Sequence, residues 1–265
     1  MEKRWVLKQQ GRKEDIEKLA EELNIEPVLA NLLIQRGVRT FEQAKAFFRP
    51  DLNDLYDPFL MKDMNRAIER IEKAIKNNEN ILVYGDYDVD GTTSVALVYT
   101  FFKEIYSNIG FYVPDRYSEG YGISLQGVEH ARNNNFSLII ALDCGIKANE
   151  KVDFAKKNGI DFIICDHHFP GDKIPDAEAV LDPKRPDCNY PFKDLSGCGV
   201  GFKLIQAYSK TNNIAFERLI PYLDLVAVSI ASDIVPIVNE NRILAYYGLI
   251  QLNESPREGL KSIIQ

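Results

Sequence analysis

Five short apolar segments between residues 80 and 181 restrict the fold of this chain most strongly. They cover residues 81–84, 110–113, 138–142, 162–165 and 179–181, and stretches with a helical pattern separate them. Strands that do not alternate apolar with polar residues are buried on both faces, as in a parallel sheet covered by helices. The sequence therefore predicts an α/β fold with a doubly wound, mostly parallel sheet.

The regions before and after these segments have helical patterns. Residues 15–23, 27–35 and 41–48 are predicted helices, with Gly37 ending the second and Thr40 capping the third. A fourth amphipathic helix is predicted from Met64 to Ile75. Residues 201–210, 216–229 and 240–252 are predicted helices after the sheet. We predict a helical N-terminal region over residues 1–78 and an α/β domain over residues 79–265.

The charge balance narrows the classes of partner. The chain has 265 residues, with 32 Lys and Arg against 39 Asp and Glu, which gives a net charge of −7. A protein that simply coats nucleic acid carries a basic excess, so this class is disfavoured. An acidic enzyme can still act on a phosphate, because bound cations then supply the positive charge.

No apolar run approaches the roughly 18 residues that a membrane helix requires. The first residues are charged and contain no apolar leader. We therefore expect a cytoplasmic protein that does not span a membrane. The four cysteines form no C-x-x-C pair, so we expect free thiols, with Cys144 and Cys165 serving as packing residues.

Acidic and imidazole side chains follow three of the predicted strands. Ligands of open parallel sheets bind at the carboxyl ends of the strands, so these residues should meet at one edge. So many carboxylates repel one another unless cations neutralise them. Oxygen ligands with one or two imidazoles suit manganese or magnesium, and a bridging Asp favours two ions. The residues are Asp86, Asp88 and Asp90 after the first strand, Asp143 after the third, and Asp166, His167 and His168 after the fourth.

Other residues near these strand ends have simpler interpretations. Gly85 and Gly91 allow tight turns, and residues 92–94 (Thr, Thr, Ser) are predicted to cap the next helix, whose N-terminus favours anions. An isolated D-x-D is usually a solvated turn, and His130 is predicted to lie on a helix surface. The chain contains neither G-x-S-x-G nor G-x-x-x-x-G-K-[ST], so serine hydrolases and P-loop enzymes lose their usual support.

Three segments resemble, in order and spacing, the first three motifs of the DHH phosphoesterases: 83–91 (VYGDYDVDG), 143–145 (DCG) and 166–168 (DHH). Within that family the chain is most similar to single-strand-specific 5′ to 3′ DNA exonucleases of repair and recombination. Further similar segments are 36–37, 57–59, 114–116, 119–122, 182–184, 196–200, 231–236 and 240–242. The resemblance therefore covers nearly the whole chain.

The resemblance implies a role for each matching residue. Two ions, Mn²⁺ or Mg²⁺, would be bound by Asp88, Asp90, Asp143, His167 and Asp233, with Asp143 between them. Asp233 follows no predicted strand and rests on the resemblance alone. His168 would face the scissile phosphate, while Asp166 and Asp86 would orient ligands, although Asp86 is an alternative ligand. Arg116, Tyr121 and Lys184 would hold DNA. The implied reaction is hydrolysis of a phosphodiester by metal-activated water.

Two alternatives remain open from the sequence. Some DHH proteins hydrolyse short oligonucleotides or cyclic dinucleotides, but they have a histidine where this chain has Tyr84. Other relatives have lost their metal ligands and are non-catalytic nucleic-acid-binding scaffolds. Single-stranded DNA is the expected partner, the resemblance adds a helicase and a single-strand-binding protein, and we expect a monomer. Nothing resembling a DHH-associated domain or an oligonucleotide-binding barrel occurs before Gln265, so we expect the front part of a longer protein.

Overall fold

The structure, a computed structural model, describes residues 4–265. Residues 1–3, where the predicted N-terminal region begins, lie outside the described residues. A five-stranded sheet forms the centre, with the strand order β2-β1-β3-β4-β5 and parallel pairing throughout. The predicted doubly wound parallel sheet is confirmed. The strands are β1 (Asn80–Gly85), β2 (Ile109–Tyr112), β3 (Phe136–Leu142), β4 (Asp161–Cys165) and β5 (Ala179–Leu181).

Helices cover both faces of the sheet. On one face, alternate strand residues such as Leu82, Ile139 and Phe162 pack in one core with α6 and α7. On the other face, α5 and α8 contact the central strands. These helices are α5 (Val89–Lys103), α6 (Leu125–Asn133), α7 (Asn149–Lys157) and α8 (Gly197–Thr211). Burial on both faces explains why the strands read as continuous apolar runs.

The chain divides into two compact units between Asp54 and Leu55. The first unit contains α1 (Lys13–Leu23), α2 (Pro27–Ile34) and α3 (Phe41–Phe48), with an apolar core that includes Leu19, Leu33 and Ile34. Thr40 caps α3 as predicted, since its hydroxyl accepts a hydrogen bond from the Gln43 amide. The fourth predicted helix, α4 (Met64–Lys76), lies in the second unit and packs on β5 and α8.

The C-terminal third differs from the prediction in two places. Residues 216–229 do not form one helix: two 3₁₀ turns, Phe216–Arg218 and Ile220–Tyr222, precede α9 (Leu223–Ser232). Pro221 explains the interruption, because proline removes a backbone donor and suits the first turn of a helix. Two further helices follow, α10 (Asn239–Glu254) and the unpredicted α11 (Glu258–Ile264). Across residues 4–265, every helix is too short or too polar to traverse a bilayer.

Candidate metal centre

The turn from β1 into α5 places three aspartates at the carboxyl edge of the sheet. Asp88 is the N-cap of α5, and its Oδ1 accepts a hydrogen bond from the Gly91 amide at 2.9 Å. Gly91 packs against the backbone of Asp86 so closely that a Cβ would lie 2.4 Å from the Asp86 carbonyl oxygen. Only glycine fits there, so this turn keeps its three carboxylates in fixed positions.

The predicted capping role of residues 92–94 is wrong. Helix α5 already begins at Val89, so these residues lie within its first turns. The hydroxyls of Thr92, Thr93 and Ser94 donate to backbone carbonyls three or four residues earlier. These three hydroxyls are therefore bonded within α5. The N-cap is instead Asp88, which the sequence analysis assigned to metal binding.

The centre of the site is a close approach of Asp143 and His167. The His167 Nδ1 lies 2.9 Å from the Leu195 carbonyl oxygen, which only accepts, so the ring proton is on Nδ1. His167 Nε2 then carries a lone pair, and it lies 3.1 Å from Asp143 Oδ1. Within residues 4–265, neither this nitrogen nor either Asp143 oxygen has a hydrogen-bond donor. Two buried acceptors at this distance require a cation or a proton between them.

The backbone and electrostatics of Asp143 are also unusual. Its φ of 58° lies in the left-handed region, which non-glycine residues seldom adopt and which is found at functional sites. Gly197, at the start of α8, packs directly on the carboxylate, where a Cβ would lie 2.6 Å from Oδ1. Burial raises the pKa of the Asp143 carboxyl to about 10, and the charges of Asp90 and Asp88 add to the rise.

Asp90 is held by the N-terminus of α8. Its carboxylate accepts hydrogen bonds from the amides of Gly197 (2.7 Å) and Cys198 (2.8 Å), and the Ser229 hydroxyl donates to it at 2.7 Å. Helix N-termini favour such anions. Asp90 Oδ2 lies 3.7 Å from His167 Nε2. Sequence reasoning did not assign these supporting residues, although the segment 196–200, with a serine cap and two glycines, was the available signal.

Asp233 joins the same cluster from a helix rather than from a strand. It is the C-cap of α9, and its Oδ2 lies 3.7 Å from His167 Nε2. Burial raises the pKa of Asp233, while the nearby imidazole of His167 acts against the rise. The structure thus brings together two sets of candidate ligand atoms that share His167: Asp143, His167 and His168, and Asp90, His167 and Asp233.

His168 and Asp166 form a second hydrogen-bonded pair beside this cluster. Asp166 Oδ1 lies 2.7 Å from His168 Nδ1 and also accepts from the amides of His167 and His168, while Oδ2 accepts from the Ile146 amide. Burial acts to raise the pKa of Asp166, but the hydrogen bond and charge of His168, together with the backbone amides of Ile146 and His168, outweigh burial and the pKa is lowered. That same bond raises the pKa of His168. Asp166 is therefore occupied in positioning the two histidines.

Asp86 and Asp88 have hydrogen-bond donors, unlike Asp143. The two Asp86 oxygens accept from the amides of Tyr87 (2.7 Å) and Gly122 (2.6 Å), which fits a positioning role. Burial raises the pKa of Asp86 even so. Asp88 uses one oxygen as the helix cap, and its Oδ2 lies 3.4 Å from the Tyr121 hydroxyl. Asp88 lies outside both three-residue sets around His167.

The predicted DNA-binding residues lie on two loops: Arg116 and Tyr121 between β2 and α6, and Lys184 after β5. The Arg116 guanidinium lies 4.7 Å from the ring centroid of Tyr87. Tyr121 contacts His168 edge to face, with centroids 6.4 Å apart. The Lys184 ammonium lies 5.2 Å from the ring centroid of Phe169. All three lie next to the carboxyl edge, and the Tyr121 hydroxyl is directed toward Asp88.

Residues with simpler expectations are also located. Cys144 and Cys165 are buried free thiols beside the strand ends. His130 lies on α6, where it stacks on Tyr112 and Phe136 and is half-buried, so it is less exposed than a surface position implies.

Comparison with known proteins agrees with this architecture. The sequence profile of the DHH family, N-terminal domain, matches residues 80–230. This match spans more than half of the chain, and the chain belongs to the DHH family.

The chain is similar to curated relatives over almost all of its own length. The single-stranded-DNA-specific exonuclease RecJ of Bacillus subtilis (strain 168) is 42% identical over 262 residues, which are 99% of this chain and 32% of that protein. The enzyme of the same name from Escherichia coli (strain K12) is 34% identical over 97% of this chain and 46% of that protein. The chain thus spans less than half of the length of these relatives.

Solved structures show the same fold. The crystal structure of RecJ from Thermus thermophilus in complex with Mn²⁺ superposes with a TM-score of 0.78 and 26% identity, covering 95% of this chain and 35% of that chain. A crystal structure of exonuclease RecJ bound to manganese gives a TM-score of 0.72 and 29% identity, over 80% of this chain and 53% of that chain.

Proposed function

We propose that this chain carries the catalytic site of a metal-dependent phosphodiesterase, a single-stranded-DNA-specific 5′ to 3′ exonuclease of repair and recombination. The observation that carries the proposal is the pair of buried acceptors, Asp143 Oδ1 and His167 Nε2, at 3.1 Å without a donor among the described residues. The names of the RecJ relatives supply the substrate and its single-stranded form. The manganese in the similar crystal structures supports the type of ion.

The donor set fits divalent cations such as Mn²⁺ or Mg²⁺. We assign Asp90, Asp143, His167 and Asp233 as ligands, with Asp88 contributing at the edge of the cluster. Carboxylate oxygens and one neutral imidazole suit these ions better than a thiolate-preferring metal. When bound, the ions polarise the phosphoester and make water a stronger nucleophile. Without ions these carboxyl groups are unfavourable when ionised, because burial first and the charges of Asp90 and Asp88 second raise the pKa of Asp143.

The neighbouring side chains then have defined tasks. Asp166 fixes the His168 ring through Nδ1, which leaves Nε2 to donate to a phosphate oxygen as charge develops there. Asp86 holds the loop of Gly122, and this loop carries Tyr121 beside His168. Arg116 and Lys184 supply positive charge for the DNA backbone at the rim.

The organisation and partners that we propose follow the resemblance and the relatives' names. Residues 79–265 would be the catalytic DHH domain and residues 1–78 a helical docking region. The protein would act in the cytoplasm as a monomer, with a helicase and a single-strand-binding protein as partners.

Release of mononucleotides from 5′-labelled single-stranded DNA in Mn²⁺ tests the proposal. We expect labelled mononucleotide from single strands and not from duplex DNA or RNA. Asp143→Asn should lower the rate by at least about a thousandfold, because the charge of a proposed metal ligand is lost. Calorimetric titration with Mn²⁺ should show weaker binding by the same variant.

Tyr112→Phe is the matched control, since it removes a polar group from the same edge of the sheet without touching the cluster. It should retain nearly the wild-type rate. Equal rates for the wild type and Asp143→Asn would refute the assignment of the site. Manganese binding without release of any nucleotide would refute the exonuclease and favour a binding scaffold.

A further inference from the structure

Phe169 is a large apolar side chain beside the candidate centre that no part of the proposed chemistry uses. It directly follows His168 and is 73% exposed to solvent. Pro170 comes next, and a residue before proline is restricted to extended backbone, so the ring projects from a stiff segment. Single exposed apolar side chains are common on protein surfaces, so the position of this ring beside the polar site, rather than its exposure, points to a contact surface for a ligand.

A cation is placed over this ring from a different loop. Lys184 follows β5, and its ammonium lies 5.2 Å from the Phe169 ring centroid. The Lys184 backbone is fixed by a hydrogen bond from its amide to Oδ1 of the buried Asp182, at 2.7 Å. The two strand-end loops after β4 and β5 therefore present one aromatic surface and one positive charge together.

We propose that Phe169 is a stacking platform for a nucleobase next to the scissile phosphate, with Lys184 contacting the phosphate of that nucleotide. This inference rests on the proposed function and specifies how the strand is held. A nucleotide has a flat base and an anionic phosphate, which match the ring and the ammonium. Every base has a π-face, so stacking holds DNA without sequence preference, but it requires a base face that is free of neighbours. Phe169 would thereby favour unpaired strands.

An abasic scan of the substrate tests this platform. The substrates are 5′-labelled oligothymidylates with one abasic nucleotide at positions one to four, and KM and kcat are measured in Mn²⁺ for wild type and Phe169→Ala. We expect Phe169→Ala to raise KM about tenfold on the intact strand and to change kcat by less than about threefold. At one position, the abasic nucleotide should raise KM for the wild type and add nothing in the variant.

Three variants complete the design. Phe169→Tyr should restore the wild-type KM, because it also offers an aromatic face. Phe111→Ala is the matched control: this ring is 58% exposed but lies on β2, at the opposite edge of the sheet from β4 and β5. It should change neither constant. Lys184→Gln should lower the slope of log Kd against log salt by about one.

The possible outcomes separate the two proposals. If the wild type cleaves and the effects of Phe169→Ala and the abasic nucleotide multiply at every position, the platform is refuted and the exonuclease stands. If the wild type does not cleave, Kd is measured by fluorescence anisotropy with the same oligonucleotides in Mn²⁺. The platform is supported if one abasic position weakens binding by the wild type but not by Phe169→Ala. It is refuted if no position behaves in this way. A wild-type chain that neither cleaves nor binds refutes both proposals.

Discussion

Two buried ionic clusters lie along the same helix, α8, and they differ in how completely their charges are compensated. The first, which we call the metal-centre cluster, consists of Asp90, Asp143, His167, His168 and Asp233. It lies at the N-terminus of α8, where Gly197 packs on Asp143 and the amide of Gly197 donates to Asp90. The second cluster, which we call the Lys203 cluster, consists of Lys203, Glu240, Tyr190 and Tyr56. The charged groups at the centre of both clusters are removed from solvent, so burial alone does not distinguish them.

In the Lys203 cluster each charge has partners. Lys203 Nζ lies 2.5 Å from Glu240 Oε1 and donates to the Tyr56 carbonyl oxygen at 3.0 Å. Glu240 also accepts from the Tyr190 hydroxyl (2.7 Å) and the Tyr56 amide (3.0 Å). Lys203 and Glu240 are each 0% exposed. This arrangement satisfies the condition under which a buried ion pair is tolerated.

In the metal-centre cluster Asp90 has donors, but Asp143 and His167 lack such compensation. Both oxygens of Asp143 and Nε2 of His167 are acceptors without donors in the described part of the chain. The fold therefore keeps in place, at one end of α8, a group of charges that is unfavourable by itself. A completed polar network therefore serves the fold, whereas an incomplete one of like charges serves a ligand.

The largest expected effect is on the free energy of unfolding, which should respond differently to the loss of a carboxylate in each cluster. Glu240→Gln should lower the free energy of unfolding by about 3–5 kcal/mol, because it leaves the Lys203 charge buried without its partner. Asp143→Asn should leave the stability of the chelator-treated protein unchanged or higher, because it removes a buried carboxyl group that must take up a proton when the chain folds at neutral pH. Urea unfolding followed by circular dichroism, in the presence of a chelator, measures both.

A double variant sharpens this result. Lys203→Met combined with Glu240→Leu removes both charges and should be less destabilising than Glu240→Gln alone. If Asp143→Asn were as destabilising as Glu240→Gln, the two clusters would be equivalent and the comparison would fail.

Asp182 is only partly compensated by hydrogen bonds, and it should make the stability of the fold depend on pH. One of its oxygens accepts from the Lys184 amide, and the other is buried without a partner among residues 4–265. Burial raises the pKa of Asp182 to about 7, above its unfolded value of about 3.9, so the folded state holds a proton that the unfolded state has lost. Stability should therefore fall as pH rises from about 4 to 7, by at most about 1.4 kcal/mol per pH unit.

Unfolding of the chelator-treated protein at pH 5, 6, 7 and 8 measures this fall. Asp182→Asn has no proton to lose there, so its stability should decline less than that of the wild type across the same range. If stability depended on pH in the same way for both proteins, Asp182 would be ionised in the fold, and its charge would be compensated like those of the Lys203 cluster.

The smallest expected effect concerns a residue that supports Asp90. Ser229→Ala removes the hydroxyl that donates to Asp90 at 2.7 Å, and it should weaken Mn²⁺ binding about tenfold. Ser209→Ala is the matched control, since Ser209 is a buried serine of α8 whose hydroxyl has no partner among residues 4–265. Calorimetric titration with Mn²⁺ compares the two, and equal affinities would mean that Asp90 is held without Ser229.

Much of the fold and part of the site were predictable because they depend on local pattern. Apolar runs without alternation identify strands covered on both faces, and the strand ends then place Asp143 and His167 at one edge. The strand order reverses between β1 and β3, which is the point where such sheets bind ligands. The helix break at Pro221 was also readable from the sequence, although the prediction overlooked it.

The sequence by itself thus determined which edge of the sheet carries the charges, because each strand and the charged residues that follow it are adjacent in the chain. Only the tertiary structure decided which carboxylates share a centre. Asp233 comes from the end of α9 and reaches His167 because α9 packs on α5, while Asp90 is held by α8 amides more than 100 residues away. The left-handed backbone of Asp143 is likewise maintained by packing. Such contacts depend on how side chains interlock between distant segments, and no periodicity in the chain records that.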